Sequence, residues 1–285
     1  MRFCLIAGLL LSVLGCVKST DSILPSQVSL QQDKGLYVAC FISPQDTLIR
    51  AKVVDLVAIT TTAPTTTVRN AVVTISDGQQ ALTLSYIDSL DYYAGRPTAP
   101  FAVRSSSTYR LTVDLIDGRH LQADATVPSA VPINSVSIDS VVTAQADKRL
   151  IRYNATINWT SPTGLSYYQG WGLVEQTISN TIDQSVTLRR TQPDFSVIRV
   201  NSTAPDPTST TGSFTLSIPA DDRVHTRRVT LGLFSTDVNY YQYHASLREQ
   251  STSPASFFTS GPVLFSNIQG GYGVFAAYNA TYINR

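Results

Sequence analysis

Alternation of apolar and polar side chains runs through most of this chain and predicts β-strands. Every second residue is apolar across residues 109–115, and the same alternation returns across residues 121–127. An Asp117-Gly118 pair separates the two runs, and this dipeptide between alternating segments is a strong signal for a β-hairpin turn. The sequence therefore predicts two antiparallel strands joined by a short turn at this point.

Several other segments repeat the same pattern and predict further short strands: residues 36–42, 82–86, 153–159, 214–218 and 229–233. Cys40 shares the apolar face of the first segment, so we expect a buried structural thiol there. One segment, residues 238–248, has the spacing of a short helix, with Asp237 placed to cap its N-terminus. Many short strands with turn signals between them favour β-sandwiches over a parallel sheet.

Two prolines indicate where the strands divide into domains. Pro128 and Pro132 interrupt any central strand, because proline cannot donate a ladder hydrogen bond. We therefore predict an all-β protein of two immunoglobulin-like β-sandwich domains. The first covers residues 35–128, and the second, larger domain covers residues 129–285 and carries the helix.

The beginning of the chain predicts export and lipidation. Arg2 precedes an apolar stretch too short to cross a bilayer, which is typical of a secretory signal peptide over residues 1–15. Residues 13–16 read Val-Leu-Gly-Cys and resemble a bacterial lipobox, so Cys16 is the predicted site for a diacylglycerol and a fatty acyl chain such as palmitate. The alternative is an ordinary secreted protein whose leader contains a cysteine. Residues 16–34 are polar and predict a flexible tether, and Val17 after Cys16 favours the outer membrane.

Composition supports the strand prediction and excludes one class of partner. The chain has 18 Asp but 2 Glu, and 17 Arg but 4 Lys, so it is poor in the charged residues that favour helices. Its formal net charge is +1, which gives no electrostatic reason to bind nucleic acid.

Catalytic and metal-binding patterns are absent from the sequence. No Gly-x-Ser-x-Gly segment occurs, and His120, His225 and His244 lack the spacing of zinc ligands. We expect His120 to be solvated, His225 to lie near a polar turn and His244 to pack against the sheet. The sequence therefore predicts a non-enzymatic protein with no cofactor and no bound metal.

Clustered aromatic residues are the best candidates for a binding surface. Tyr167 and Tyr168 are adjacent, so on a regular strand one of the two must point away from the core. Together with Trp171 they form the candidate ligand or partner surface, since exposed Tyr and Trp suit sugar stacking and protein contacts. The alternative is a purely structural role at the edge of a sandwich.

Three segments together resemble a known protein family. They are residues 40–47 (CFISPQDT), residues 70–78 (NAVVTISDG) and the C-terminal residues 262–278. The set is similar to a family of Bacteroidetes-type lipoproteins known only as a domain of unknown function, whose members are typically encoded beside TonB-dependent receptors. The resemblance implies an outer-membrane lipoprotein, on the periplasmic face or the cell surface, that assists such a receptor in uptake. The alternative is a structural or adhesive surface lipoprotein without a transport role.

Overall fold

The computed structural model describes residues 35–56, 66–145, 148–179, 185–192, 197–202, 208–220, 224–252 and 263–284. The predicted signal peptide, the lipidation site Cys16 and the tether over residues 16–34 lie outside the described residues. Their assignments stay predictions.

Eight strands form from the described residues of the first part of the chain. They are β1 (Gly35–Ile42), β2 (Ile49–Leu56), β3 (Thr66–Thr67), β4 (Val72–Ser76), β5 (Ala81–Ile87), β6 (Tyr92–Gly95), β7 (Thr108–Asp114) and β8 (His120–Thr126). The hairpin predicted around Asp117-Gly118 is the β7–β8 pair, and Gly118 adopts the positive φ of 89° that the turn requires.

Eight further strands, most of them longer, and one helix form from the described residues of the second part. They are β9 (Ile133–Gln145), β10 (Lys148–Ser161), β11 (Gly164–Ser179), β12 (Val186–Thr191), β13 (Val197–Ser202), β14 (Thr208–Ala220), β15 (Val224–Thr236), α1 (Val238–Thr252) and β16 (Tyr272–Asn284). The prediction of an all-β protein with one short helix is confirmed. The helix begins at the expected residue and extends beyond the predicted end.

The strands of the described ranges form one large sheet and one small sheet. The large sheet has 13 strands, with the order β12-β11-β15-β16-β1-β2-β6-β5-β4-β7-β8, while β13 pairs with β11 and β3 pairs with β2. The small sheet has the order β14-β10-β9. The immunoglobulin-like arrangement within each half, and the division into domains at residue 128, stay predictions.

The last strand lies beside the first strand, far from it in sequence. β16 runs parallel to β1, with Tyr37 opposite Tyr272 and Ile42 opposite Ala277, and antiparallel to β15 on its other side. The large sheet is therefore continuous from the first part of the chain to the second.

Alternate residues of β1 and β16 contribute to two different cores. Cys40 and Phe275 point to one side and pack with residues of β4, β7 and β8, among them Ile75, Leu111 and Ala123. The strands from β16 through β1 to β8 therefore curl around a common core, with β16 at one end of the curl and β8 at the other. The prediction that Cys40 lies on the buried face is confirmed.

The opposite face of β1 and β16 packs against the helix. Tyr240 and Tyr243 of α1 contact a cluster that includes Phe41 of β1 and Ala276 of β16. At β11 and β15 of the large sheet, the face opposite the helix is covered by the small sheet. Trp159 of the small sheet packs there with Tyr168 and Leu233. β11 and β15 thus have apolar layers on both faces.

Candidate functional site

Two of the three predicted surface residues are buried, which corrects the prediction of a shared exposed surface. Tyr168 is 1% exposed, and its ring centroid lies 5.1 Å from that of Trp159 while its hydroxyl contacts Ser161 Oγ at 2.9 Å. Trp171 is 4% exposed and packs edge-on against Tyr282 on the other face of the sheet. Sequence alternation alone did not show that separate layers cover both faces of β11.

Tyr167 is the one predicted surface residue that reaches the surface. Its side chain is half-buried, and its ring centroid lies 4.8 Å from that of Tyr241 on α1, with 32° between the ring planes. Leu165, 48% exposed, precedes Tyr167 by two residues and therefore shares its face of β11. Val238, 41% exposed, lies one turn before Tyr241 on the same side of α1.

A positive charge borders this group of apolar side chains. Arg199 of β13 is directly opposite Tyr167 in the β11–β13 pairing, and its side chain is exposed. β13 pairs with no described strand on its other side, so this group lies at an edge of the large sheet. We call Leu165, Tyr167, Arg199, Val238 and Tyr241 the helix–edge surface.

The N-terminus of α1 is fixed by a capping carboxylate that also contacts the sheet. Oδ1 of Asp237 accepts a hydrogen bond of 2.8 Å from the backbone N–H of Tyr240, which confirms the predicted N-cap. Oδ2 of Asp237 accepts a second bond, 3.1 Å long, from the backbone N–H of Ala277 in β16. Burial raises the pKa of Asp237 to about 7, although these N–H groups lower it.

Aromatic side chains hold the rest of the helix against the sheet. The hydroxyls of Tyr243 and Tyr37 share a hydrogen bond of 2.7 Å, and the Tyr240 hydroxyl donates to Oε1 of Gln169. The ring centroid of His244 lies 4.3 Å from that of Tyr240 on the same helix and 5.7 Å from that of Phe41 on β1. Burial lowers the pKa of His244 to about 4, so it is neutral at physiological pH. The prediction that His244 packs against the sheet is confirmed. These contacts fix the position of Tyr241 beside Tyr167.

The turn after β1, which belongs to one segment that carries the family resemblance, contacts the C-terminal part of β16. In the turn after β1, Gln45 Oε1 accepts a 3.0 Å hydrogen bond from the backbone N–H of Ala280, and Gln45 Nε2 donates to Oδ1 of Asn279 at 2.9 Å. The buried Asn279 amide then donates to Ser105 Oγ at 2.7 Å and to the carbonyl of Pro128 at 3.0 Å. This network joins the turn, β16 and the segment that follows β8.

A neighbouring carboxylate belongs to the same junction. Oδ1 of Asp46 accepts a 3.0 Å hydrogen bond from the hydroxyl of Tyr278. Burial raises the pKa of Asp46 to about 7, while the Tyr278 hydrogen bond and the charge of Arg50 act in the opposite direction. The arrangement is typical of a buried polar contact between secondary-structure elements.

The C-terminal resembling segment fixes the start of β16. Asn267 forms two side-chain hydrogen bonds with the backbone of Phe275, at 2.8 Å to its carbonyl and 3.0 Å from its N–H. Gly273 has φ of 116°, and a Cβ on it would lie 1.9 Å from the carbonyl oxygen of Val38. Only glycine allows β16 to approach β1 this closely. Asn267 and Gly273 of this segment therefore have structural roles at the start of β16.

Histidine, cysteine and carboxylate side chains in the described part of the chain do not form a metal-binding cluster. His120 Nδ1 lies 2.6 Å from Oδ1 of Asp114, but this cross-strand pair is exposed on the β7–β8 hairpin. His225 is exposed on β15, and Cys40 is buried. No group of three His, Cys, Asp or Glu side chains among the described residues is arranged to hold a metal ion.

Sequence reasoning identified Tyr167 but not its partners on the helix–edge surface. The pairing of Tyr167 with Tyr241 depends on where α1 packs, and the tyrosine-rich start of the predicted helix was the only local signal for it. In the described part of the chain, no helix has the length and apolar character needed to span a membrane.

Comparisons with known proteins agree with the resemblance found in the sequence. A search of curated proteins returned no match. A protein-family comparison matches residues 23–283, which includes all of the described strands and α1 apart from the final residue of β16. The chain therefore belongs to the family described as Domain of unknown function (DUF4249).

Proposed function

We propose that this protein is a non-enzymatic outer-membrane lipoprotein, anchored through acylated Cys16, that binds a TonB-dependent uptake receptor through its helix–edge surface. The observation that carries the proposal is the contact between Tyr167 and Tyr241, bordered by exposed Leu165 and Val238. Aromatic residues and arginine dominate the binding energy of many protein interfaces. The surface combines both types at an accessible edge of the sheet.

The rigidity of this surface supports a role in binding. Asp237 caps α1 and also contacts Ala277, so the helix is anchored to a strand buried on both faces. Tyrosine side chains have few rotatable bonds, and pairing them on fixed backbone lowers the entropy lost when a partner binds. A folded surface of this kind needs little rearrangement on association.

Anchoring would concentrate the surface at the membrane. The lipobox-like residues 13–16 and the polar residues 16–34 support a tethered protein whose folded part stands away from the lipid. The two acyl chains of a diacylglycerol give a stable anchor, whereas one chain gives only marginal binding.

A second candidate is an adhesive or structural surface lipoprotein without a transport role. It is favoured by two exposed apolar residues, Val186 and Leu188, on β12. In the described part of the chain β12 has a strand on one side only, and exposed apolar edges of this kind attract other surfaces.

The proposal is tested by purifying the tagged full-length protein from envelopes of its native cells in mild detergent and identifying bound proteins by mass spectrometry. We expect a TonB-dependent receptor with the wild type. Leu165→Asp and Arg199→Glu should each reduce recovery about tenfold, equivalent to about 1.4 kcal/mol.

Matched controls place the same changes outside the helix–edge surface. Ile116→Asp changes an exposed apolar residue on the β7–β8 hairpin, and Arg104→Glu changes an exposed arginine. Both should recover the receptor as well as the wild type does. Recovery of no receptor by the wild type, or equal recovery by all four variants, would overturn the proposal, and binding to cells lacking the receptor would favour the adhesive alternative.

A further inference from the structure

The outer edge of β9 carries few of the features that usually prevent strands from pairing between molecules. β9 has 13 residues and is the last strand of the small sheet, with β10 on one side and no described strand on the other. Between Ser135 and Ala144 the only charged residue is Asp139, and there is no proline or lysine. Its register shift against β10 occurs near its beginning, opposite Asn158 and Trp159. Natural edge strands are normally protected by lysine, proline or bulges.

Two consecutive valines show that this part of the small sheet is open on both faces. Val141 is 50% exposed and Val142 is 52% exposed. Neighbouring residues of a strand point to opposite faces, so neither face of the sheet is fully covered at this point. Two half-exposed β-branched side chains therefore lie on a strand that has a described neighbour on one edge only.

A layer of polar side chains joins the small sheet to the large sheet. The Tyr153 hydroxyl and Thr226 Oγ1 are 2.9 Å apart and join β10 to β15. The buried Gln176 side chain lies beside them, 3.4 Å from Thr226 Oγ1, and accepts a hydrogen bond from Arg189. Ile151, two residues before Tyr153 on β10, pairs with Val142 beyond this layer.

We propose that β9 pairs antiparallel with β9 of a second copy of this chain, across a two-fold axis at Ser140. The two small sheets then form one continuous sheet of six strands. Residues that are directly opposite in an antiparallel pair share a face, so Ile138 lies opposite Val142 of the partner subunit. The two-fold axis repeats this apolar contact, which covers Val142 in both copies.

Charge disfavours the register whose two-fold axis lies one residue earlier, at Asp139. With the axis at Ser140, Asp139 lies opposite Val141 of the partner subunit, and Val141 pairs with Arg152 within its own small sheet. On that face the two Asp139 carboxylates are diagonal neighbours, about 7–8 Å apart, and are not directly opposite each other. An axis at Asp139 would instead place two aspartates directly opposite each other, which is destabilising.

This pairing uses a different surface from the proposed receptor contact. The helix–edge surface is formed by β11, β13 and α1, whereas the pairing uses β9 alone. The two proposals can therefore fail independently.

A cysteine at the two-fold axis tests the register directly. In the full-length protein in detergent, Ser140→Cys should form a disulfide-linked dimer on mild oxidation, because residues directly opposite across an antiparallel pair lie about 5 Å apart at Cβ. Ser137→Cys is the matched control on the same strand, since its copies would be about 20 Å apart in this register. The wild type controls for the native cysteines, and peptide mass mapping assigns the cross-link to residue 140.

The dissociation constant supplies a second measurement. In sedimentation experiments with micelles in excess over protein, Val142→Lys should raise the dissociation constant of the dimer at least about tenfold. Val186→Lys, at an exposed valine on β12, should leave it unchanged. A monomeric wild type, no cross-link at residue 140, or equal cross-linking at residues 137 and 140 would overturn the pairing. Val142→Lys should still recover the receptor, which separates this proposal from the proposed function.

Discussion

The hydroxyl of Tyr278 donates a 3.0 Å hydrogen bond to Oδ1 of Asp46, two residues that are 232 positions apart in the sequence. The bond joins the last strand to the turn that follows the first strand. Nearby, Gln45 contacts the backbone of Ala280 and the side chain of Asn279. The pairing of β1 with β16 thus ends in a set of polar contacts. Four features of these two strands and of the residues that contact them give testable predictions.

The first prediction concerns the pH dependence of stability. Burial raises the pKa of Asp46 and of Asp237, each to about 7, so the folded state binds protons that the unfolded state has released. Their contribution is complete below about pH 4 and is lost as the pH rises through 7. We expect the urea midpoint to fall between about pH 5 and about pH 8. Asp46→Asn should reduce this fall, whereas Asp88→Asn, at an exposed position, should not.

The carboxylate of Asp91 limits the pH range over which stability falls with rising pH. The pKa of Asp91 is lowered to about 2, where hydrogen bonds from Lys52, Tyr86 and Thr67 outweigh its desolvation. Its contribution is present above about pH 4 and is lost as the pH falls towards 2. A urea midpoint that rises steadily from about pH 5 to about pH 8 would contradict the assignment of Asp46 and Asp237.

The second prediction concerns the helix cap. Asp237→Ala removes the acceptor for the N–H groups of Tyr240 and Ala277, so we expect a loss of about 2–3 kcal/mol in the free energy of unfolding. Asp237→Asn keeps one acceptor oxygen and should lose less than the alanine variant. Denaturant unfolding monitored by far-ultraviolet circular dichroism measures both, and equal stability of Asp237→Ala and wild type would refute the role of the cap.

The third prediction compares two glycines with positive φ. At Gly273 an added Cβ would meet the backbone carbonyl of Val38, whereas at Gly78 nothing lies within 4 Å. Gly78→Ala should cost about 1–2 kcal/mol from backbone strain alone. Gly273→Ala should cost at least about 3 kcal/mol because β1 and β16 must also separate. Thermal unfolding of both variants checks the order, and similar melting temperatures would contradict the close approach of the two strands.

The fourth prediction concerns the thiol of Cys40. Burial raises its pKa well above the ordinary value, and the thiolate is the reactive form. We expect no alkylation of Cys40 by iodoacetamide in the folded protein at neutral pH, and complete alkylation in denaturant. Mass mapping of the peptide that contains Cys40 separates it from the other two cysteines. Rapid labelling of the native protein would show that β1 is not buried as described.

Local sequence determined the type and limits of many elements. Alternation and an Asp-Gly turn were enough to predict the β7–β8 hairpin, because turn geometry and side-chain period act over a few residues. Asp237 was enough to place the start of α1, since a capping oxygen needs only the next turn of helix. The face of β1 that carries Cys40 followed from the same two-residue period.

Tertiary structure decided which residues are covered and which surfaces remain. Alternation placed Tyr167 and Tyr168 on opposite faces of a strand, but only the packing of the small sheet and of α1 showed that Tyr168 and Trp171 are buried. The local sequence pattern likewise did not predict that β16 lies between β15 and β1. Strands pair through backbone N–H and C=O groups, which do not depend on the side chain, so pairing between distant segments leaves no local signal. The sequence by itself determined many of the strands, the helix cap and the family. The neighbours of each strand depended on long-range packing, and with them the helix–edge surface and the edge of β9 that pairs with no described strand.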